Sequence, residues 1–434
     1  MARLHCVLLL IALGVVTVCG AIWFGARAET KNPELPVYVL GGERMAAGEE
    51  IYLRGNEAKP FTYPPFAAVP FALFRFVPIA WQPAAWFVIN FALLLAMLAW
   101  LQKWAASAWP DAPPARLALT WVIVSAIAAR YVFSVFENQS HDLLLMGPMV
   151  LATAMWCRAT ARGSAGAGAF VGLAAAIKAT PLLCLLMFTL RRSFPAVVAL
   201  LLTFGALSLL PDLFFPRQDG DTWLHAWYSI NLRSLSVGQT ATGAWSSHGF
   251  LNQSLGGSLT RIFTNVPVDQ DEFTRPDAAL LNISPGALFN VILIARLAVL
   301  LLLAAVALRA RKVVLAACES TALLVQRRVA LGEIGAMLCG MVLLSPQSSK
   351  AHFCVLMLPA LFCVDRVLRC KRSDPWLVVT VAAAAILSAF SSKDILGKEL
   401  GNFLLGLGSV TWIAVLLLLA TLRAMRPEPV LEHA

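Results

Sequence analysis

Apolar runs broken by short polar joints fill most of this 434-residue chain, at about 5–25, 63–80, 84–104, 117–135, 143–157, 165–190, 194–215, 286–309, 329–345, 351–368, 376–391 and 402–423. A helix that crosses a bilayer needs roughly 20 mostly apolar residues. Only structures that satisfy their own backbone hydrogen bonds tolerate lipid, and within one segment that means a helix. The pattern predicts an all-α, polytopic membrane protein of about twelve transmembrane helices, organised as a single domain over residues 1–434.

Charge supports the same reading. Charged residues make up 13% of the chain and hydrophobic residues 59%, whereas a soluble domain carries roughly 25% charged residues. The net charge of +10 does not indicate a nucleic-acid partner, because the basic residues stand singly or in pairs at the ends of apolar runs. Arg191-Arg192, Arg327-Arg328 and Lys371-Arg372 are examples, and such flanks anchor helices on the cytoplasmic side. The nine cysteines are scattered, with no Cys-x-x-Cys pair and no Cys/His metal spacing, so neither disulfides nor a bound metal is expected. The first run has the look of a signal peptide, with Arg3 ahead of an apolar core. It is read as a retained helix, since the chain that follows is itself apolar.

Two polar stretches interrupt the pattern. Residues 26–62 hold five Lys/Arg and six Glu. Residues 216–285 hold Trp223, Trp227, Trp245, two histidines and an acidic patch near Asp269–Asp277. Tryptophan suits the membrane interface, and the shorter loops are more basic, which puts these two longer loops outside the cytoplasm. The run 165–190 is flanked by basic residues at both ends and contains Lys178-Ala-Thr-Pro181. A break is expected there, because proline removes a backbone donor and disfavours helix at the preceding residue.

Four polar groups are not explained by apolar packing. Glu34, in Asn-Pro-Glu-Leu-Pro-Val-Tyr, sits at the expected membrane surface, where a raised pKa suits a general base. The alternative is a solvated loop glutamate, one of six in that loop. Tyr63 belongs to Phe61-Thr-Tyr-Pro-Pro-Phe66, a proline-fixed helix start that an interface tyrosine would anchor. Glu137-Asn-Gln-Ser-His-Asp142 is a polar island between apolar runs, and a short loop explains it equally well. Leu344-Ser-Pro-Gln-Ser-Ser-Lys-Ala-His-Phe353 places Lys350 and His352 on a proline-broken turn between two apolar runs. Ionisable groups at that depth usually face a cavity or a partner, and lysine with backbone donors suits a phosphate. A snorkelling lysine beside a loop histidine is the alternative.

In order along the chain, Glu34 before Val37-Tyr38, Tyr52, Tyr63-Pro64-Pro65, Arg130, Gln139, Lys178 with Pro181, Asn252-Gln253-Ser254 with Arg261, and Ser345-Pro346 with His352 resemble glycosyltransferase family 87. The resemblance implies a GT-C-like fold in the plasma (inner) membrane, with the active site facing the extracytoplasmic side. It implies inverting transfer of a hexose, chiefly mannose, from a polyprenyl-phosphate sugar to a glycolipid or glycan acceptor. No further cofactor is implied, the lipid-linked sugar being a substrate. By the same resemblance Glu34 is the catalytic base, standing where the family most often has Asp. Lys350, His352, Arg261, Gln139, Asn252 and Gln253 would bind the donor phosphate or sugar, while Tyr38 and Tyr63 would position the acceptor or the loop. The chain departs from the family's Gly-Gln-x-Asn, with Asn138-Gln-Ser-His141. It also departs from Ser-Pro-x-x-Trp-x-His-His, lacking the Trp and the first His, with Lys350 as the replacement cation. Two other functions fit an apolar chain of this kind: a secondary transporter or lipid flippase, and a GT-C transferase that uses a polyprenyl-phosphate pentose.

Overall fold

The computed structural model describes residues 2–28, 33–52, 59–108, 113–233, 235, 248–265, 278–369 and 374–426, with the backbone alone at 2–11 and 27–28. The remaining parts of the two polar stretches, including Trp245 and Asp269–Asp277, lie outside the described residues, as does Lys371-Arg372. Every regular element among the described residues is helical.

Helix starts follow local chemistry. Pro114, Pro195, Pro285 and Pro375 stand in the first turns of their helices, where a missing backbone donor costs nothing. Hydroxyls of Thr160, Ser254 and Ser284 accept the backbone N–H groups of Gly163, Gly257 and Ala287, satisfying donors that the helix itself leaves free. The expected break in the run 165–190 is present. The helix Ala161–Ile177 stops at Lys178, whose backbone is extended, and a short 3-10 turn over Thr180–Leu183 leads into the helix Cys184–Leu190.

Fewer than the expected twelve runs form helices of spanning length among the described residues. Five are long and apolar enough to cross a membrane: Ile79–Ala108, Pro114–Asn138, Phe194–Phe214, Pro285–Leu315 and Lys350–Arg369. A sixth arises if Lys398–Gly406 and Ser409–Ala424, bent by 54°, form one span. Asp142–Trp156, Ala161–Ile177, Thr180–Leu190 and Pro375–Phe390 are apolar but only 10–17 residues long. Hydropathy alone does not separate a span from a shorter helix that is apolar because other helices surround it. The helix Glu319–Leu344 shows the second cause, since its buried stretch Val329–Leu343 is enclosed on all sides and carries Glu333.

Small residues set the closest approach in the bundle. A Cβ at Gly168 would collide with the Ala196 backbone, and one at Gly172 would lie 2.7 Å from the Leu200 carbonyl oxygen and 2.8 Å from Thr203 Cβ. Glycines four residues apart on one helix face let two backbones meet, which is a principal source of helix association in lipid. Gly172→Val is therefore expected to overpack this seam and cost about 1–3 kcal/mol. Gly205→Ala, which has no atom within 4 Å of the added Cβ, serves as the neutral control. Thermal unfolding in detergent reads the difference, and equal midpoints for the two variants would remove the seam from the account of stability.

The polar stretches are structured where they are described. The helix Leu35–Ala47 packs under Phe61 and Phe71, with Trp223 and Trp227 in the same apolar cluster. The Trp227 indole N–H donates to the Thr62 carbonyl at 3.1 Å, the Gln218 N–H donates to the Gly48 carbonyl at 3.0 Å, and Arg217 pairs with Glu50 at 3.0 Å. The two stretches thus join into one cap over one end of the bundle. Gly48 closes the cap helix with φ +72°, in the left-handed region where glycine carries no Cβ penalty.

Candidate active site

A cleft of about 1030 Å³, counting its mouth, opens between this cap and the bundle, and Glu34, Tyr38, Lys59, Tyr63, Lys178 and His352 line it. Glu34 is placed by the start of the cap helix. Its N–H donates to the Asn138 carbonyl at 2.9 Å, its own carbonyl accepts from Val37 at 3.0 Å, and Pro36 follows in the first turn. The carboxylate is buried, 8% exposed, and accepts a hydrogen bond from the Tyr38 hydroxyl one turn later. Burial pushes the Glu34 pKa above the usual carboxylate range, and the Asp142 charge adds to the rise. Tyr38, Lys59 and Lys178 pull the other way without cancelling it. A carboxylate whose pKa is raised towards that of its reaction partner is better suited to accept a proton.

Three rings stand behind the carboxylate. The Tyr63 and His141 rings meet edge to face at 4.4 Å, and Tyr38 meets His141 at 4.8 Å and Tyr63 at 5.7 Å. Burial lowers the His141 pKa to about 3, so this ring is neutral at pH 7 and adds no cation to the cleft.

Another part of the lining comes from the two helix breaks. After Leu344 the chain turns through Ser345-Pro346 into the 3-10 segment Lys350–Leu356. The Ser349 N–H donates to His352 Nδ1 at 3.1 Å, which puts the hydrogen of a neutral ring on Nε2. That nitrogen lies 3.9 Å from Asp142, whose other carboxylate oxygen lies 3.6 Å from Lys178 Nζ. Asp142 also accepts the Ser140 hydroxyl at 2.8 Å. Lys178 projects from the point where its helix ends, and the extended backbone there leaves the ammonium beside the carboxylate. Asp142 thus steadies a cation and an imidazole that line the same cleft as the Glu34–Tyr38 pair.

The other expected site residues are placed elsewhere. The Asn252 amide donates to the Pro346 carbonyl at 3.1 Å and accepts the Ser348 and Ser254 N–H groups, each at 3.1 Å. Gln253 bonds the Phe250 and Leu405 carbonyls, and Arg261 bonds the carbonyls of Gly406, Gly249 and Asn252 at 2.7–2.8 Å. These three side chains hold the Ser345–Ser349 turn and its support in place and are absent from the cleft lining. Gln139 takes a left-handed conformation at the end of the helix Pro114–Asn138, with its carbonyl accepting the Trp86 indole N–H at 2.9 Å. It borders a small gap beside Phe24 and Asn90 instead. Lys350 is also outside the lining, and the charges that act on it are those of Arg130, Glu137, Lys393 and Asp394.

Sequence reasoning passed over Lys59, Lys178 and Asp142 as site residues. The signal was present for two of them. Lys178 is a charge inside an apolar run, and Asp142 ends the polar island. Their pairing required two helix termini to meet.

The family description Glycosyltransferase family 87 matches residues 61–346. The chain belongs to glycosyltransferase family 87. The matched segment contains Tyr63, Asp142, Lys178 and the turn through Pro346, while Glu34, Tyr38, Lys350 and His352 fall outside it. The family 87 chain is also 26% identical over 234 residues to a polyprenol-phosphate-mannose-dependent alpha-(1-2)-phosphatidylinositol mannoside mannosyltransferase of Mycobacterium tuberculosis (strain ATCC 25618 / H37Rv). The alignment covers 49% of this chain and 52% of that protein, so the chain spans about half the length of the curated relative. Family membership places the protein among membrane glycosyltransferases, as opposed to transporters.

Proposed function

We propose that this membrane glycosyltransferase moves a hexose, mannose first among them, from a polyprenyl-phosphate sugar to a glycolipid or glycan acceptor. The observation that carries the reading is one cleft lined both by the buried Glu34 carboxylate and by Lys178 with His352. In a single inverting displacement, Glu34 takes the proton of an acceptor hydroxyl. The hydroxyl oxygen forms the new bond to the anomeric carbon from the face opposite the phosphate. The bond from that carbon to the phosphate oxygen breaks, and the polyprenyl phosphate leaves with the electron pair. Charge grows on the leaving phosphate, and a preorganised cation in a water-poor cleft stabilises such growth more than it stabilises the ground state. Lys178 and the His352 Nε2–H are assigned that role. The cap, on this reading, faces the extracytoplasmic side of the plasma (inner) membrane, where a lipid-linked sugar presents its headgroup.

The testing assay uses purified protein in liposomes with radiolabelled polyprenyl-phosphate mannose, crude membrane lipid as acceptor source, and GDP-mannose as the comparison donor. Label is expected to move from the lipid-linked donor alone. Transfer from GDP-mannose with none from the lipid-linked donor would overturn the donor assignment.

A further inference from the structure

A second lined groove lies at the far end of the bundle. Trp100, Lys103 and Trp104 near the end of the helix Gln82–Ala108, Arg158 just after the helix Asp142–Trp156, and Arg327 on the helix Glu319–Leu344 surround a space of about 790 Å³, counting its mouth. All three helices also reach the catalytic end. Asp142 begins one of them, Leu344 ends another, and Trp86 of the third bonds the Gln139 carbonyl. The 15 residues of Asp142–Trp156 separate the two sites by about 20 Å at 1.5 Å per residue.

Three cations converge on this groove, and none has an ion-pair partner among the described residues. Glu333, a buried acid on the same helix as Arg327, is already taken by Arg191 at 3.3 Å and by the Trp156 indole N–H at 2.9 Å. Flanking cations alone satisfy the membrane's charge asymmetry while pointing into water. Here they border a recess walled by Trp100 and Trp104, which suits the joint between a headgroup and its acyl chains. The walls are also held firmly. Gln326 bridges the Trp156 carbonyl at 2.9 Å and Arg191 at 2.9 Å, and the Cys157 thiol contacts the Arg327 carbonyl at 3.7 Å.

We infer that Lys103, Arg158 and Arg327 form a binding site for the phosphate of an anionic membrane phospholipid, on the membrane face opposite the catalytic cleft. Basic pockets between helices on the cytoplasmic side take such headgroups, and arginine matches phosphate oxygens in a two-pronged geometry. The lipid would hold three helices that run from this groove to the cleft.

Native mass spectrometry and thermal-shift titration of the full chain in detergent test the site, with phosphatidylglycerol, phosphatidylcholine and inorganic phosphate as separate probes. Phosphatidylglycerol is expected to bind at least about tenfold more tightly than phosphatidylcholine. The triple variant Lys103→Gln/Arg158→Gln/Arg327→Gln should abolish that preference, and Lys103→Glu, at an exposed position, should reduce it without disturbing the fold. Arg158→Lys, which keeps the charge and loses the two-pronged match, should retain part of it. Undiminished preference in Lys103→Glu and in the triple variant would overturn the site. Displacement of the phospholipid by inorganic phosphate at equal concentration would overturn the lipid as its ligand.

Discussion

Glu34→Gln is expected to lower kcat by about 10²–10⁴-fold, the usual contribution of a positioned general base, while leaving expression and insertion unchanged. The amide keeps the size of the side chain and still accepts the Tyr38 hydroxyl through its oxygen, so the cap helix should remain seated. The pH profile gives a second readout. Burial raises the Glu34 pKa, so the base is lost to protonation as pH falls, and kcat/KM should decline on the acid side with a midpoint above the ordinary carboxylate range. That limb should vanish in Glu34→Gln, whose residual rate should vary little with acid pH. Glu34→Asp, one methylene shorter, should be slowed less. Near-wild-type turnover by Glu34→Gln would take this carboxylate out of the chemistry.

Lys178→Met should be damaging in two separable ways. Asp142 is 1% exposed, with the Lys178 ammonium at 3.6 Å as its charged partner and the neutral His352 ring at 3.9 Å. Removing one partner of a buried pair strands the other charge, at about 3–5 kcal/mol. The unfolding midpoint should fall accordingly. The second effect is on the donor. One lost charge-assisted contact to the phosphate is worth roughly 1.5–3 kcal/mol, about 10- to 100-fold in kcat/KM for the lipid-linked sugar. The double variant Lys178→Met/Asp142→Asn separates the two, since neutralising the carboxylate should restore much of the stability and none of the donor affinity. His352→Ala should weaken donor use in the same sense. Combined with Lys178→Met it should lose less than the product of the single losses, because both groups act on one phosphate. Lys350→Met, at a residue outside the cleft lining, should be the mildest of the lysine variants. A donor KM and kcat unchanged in Lys178→Met would move the phosphate contact away from this wall.

Much of this was legible in the order of residues. Long apolar runs with few charges force helices, because a helix satisfies its backbone within one segment. Proline after Lys178 and after Ser345 forces breaks, because its ring and missing N–H act locally. The resemblance singles out Glu34 and Tyr38 within a stretch that reads as a loop, and the helix Leu35–Ala47 is what sets the carboxylate and the hydroxyl one turn apart. What the tertiary structure decided depends on distant parts of the chain meeting. Hydropathy does not report whether an apolar helix faces lipid or other helices, and five or six helices among the described residues are long and apolar enough to cross a membrane, against about twelve expected. The roles of polar residues depend equally on neighbours. Arg261, Asn252 and Gln253 are carbonyl-bonded props for a turn, whereas Lys178 and His352, 174 residues apart in the chain, come to share Asp142. A side chain's type sets which bonds it can make, and only the packed helices set which partner is near enough to make them.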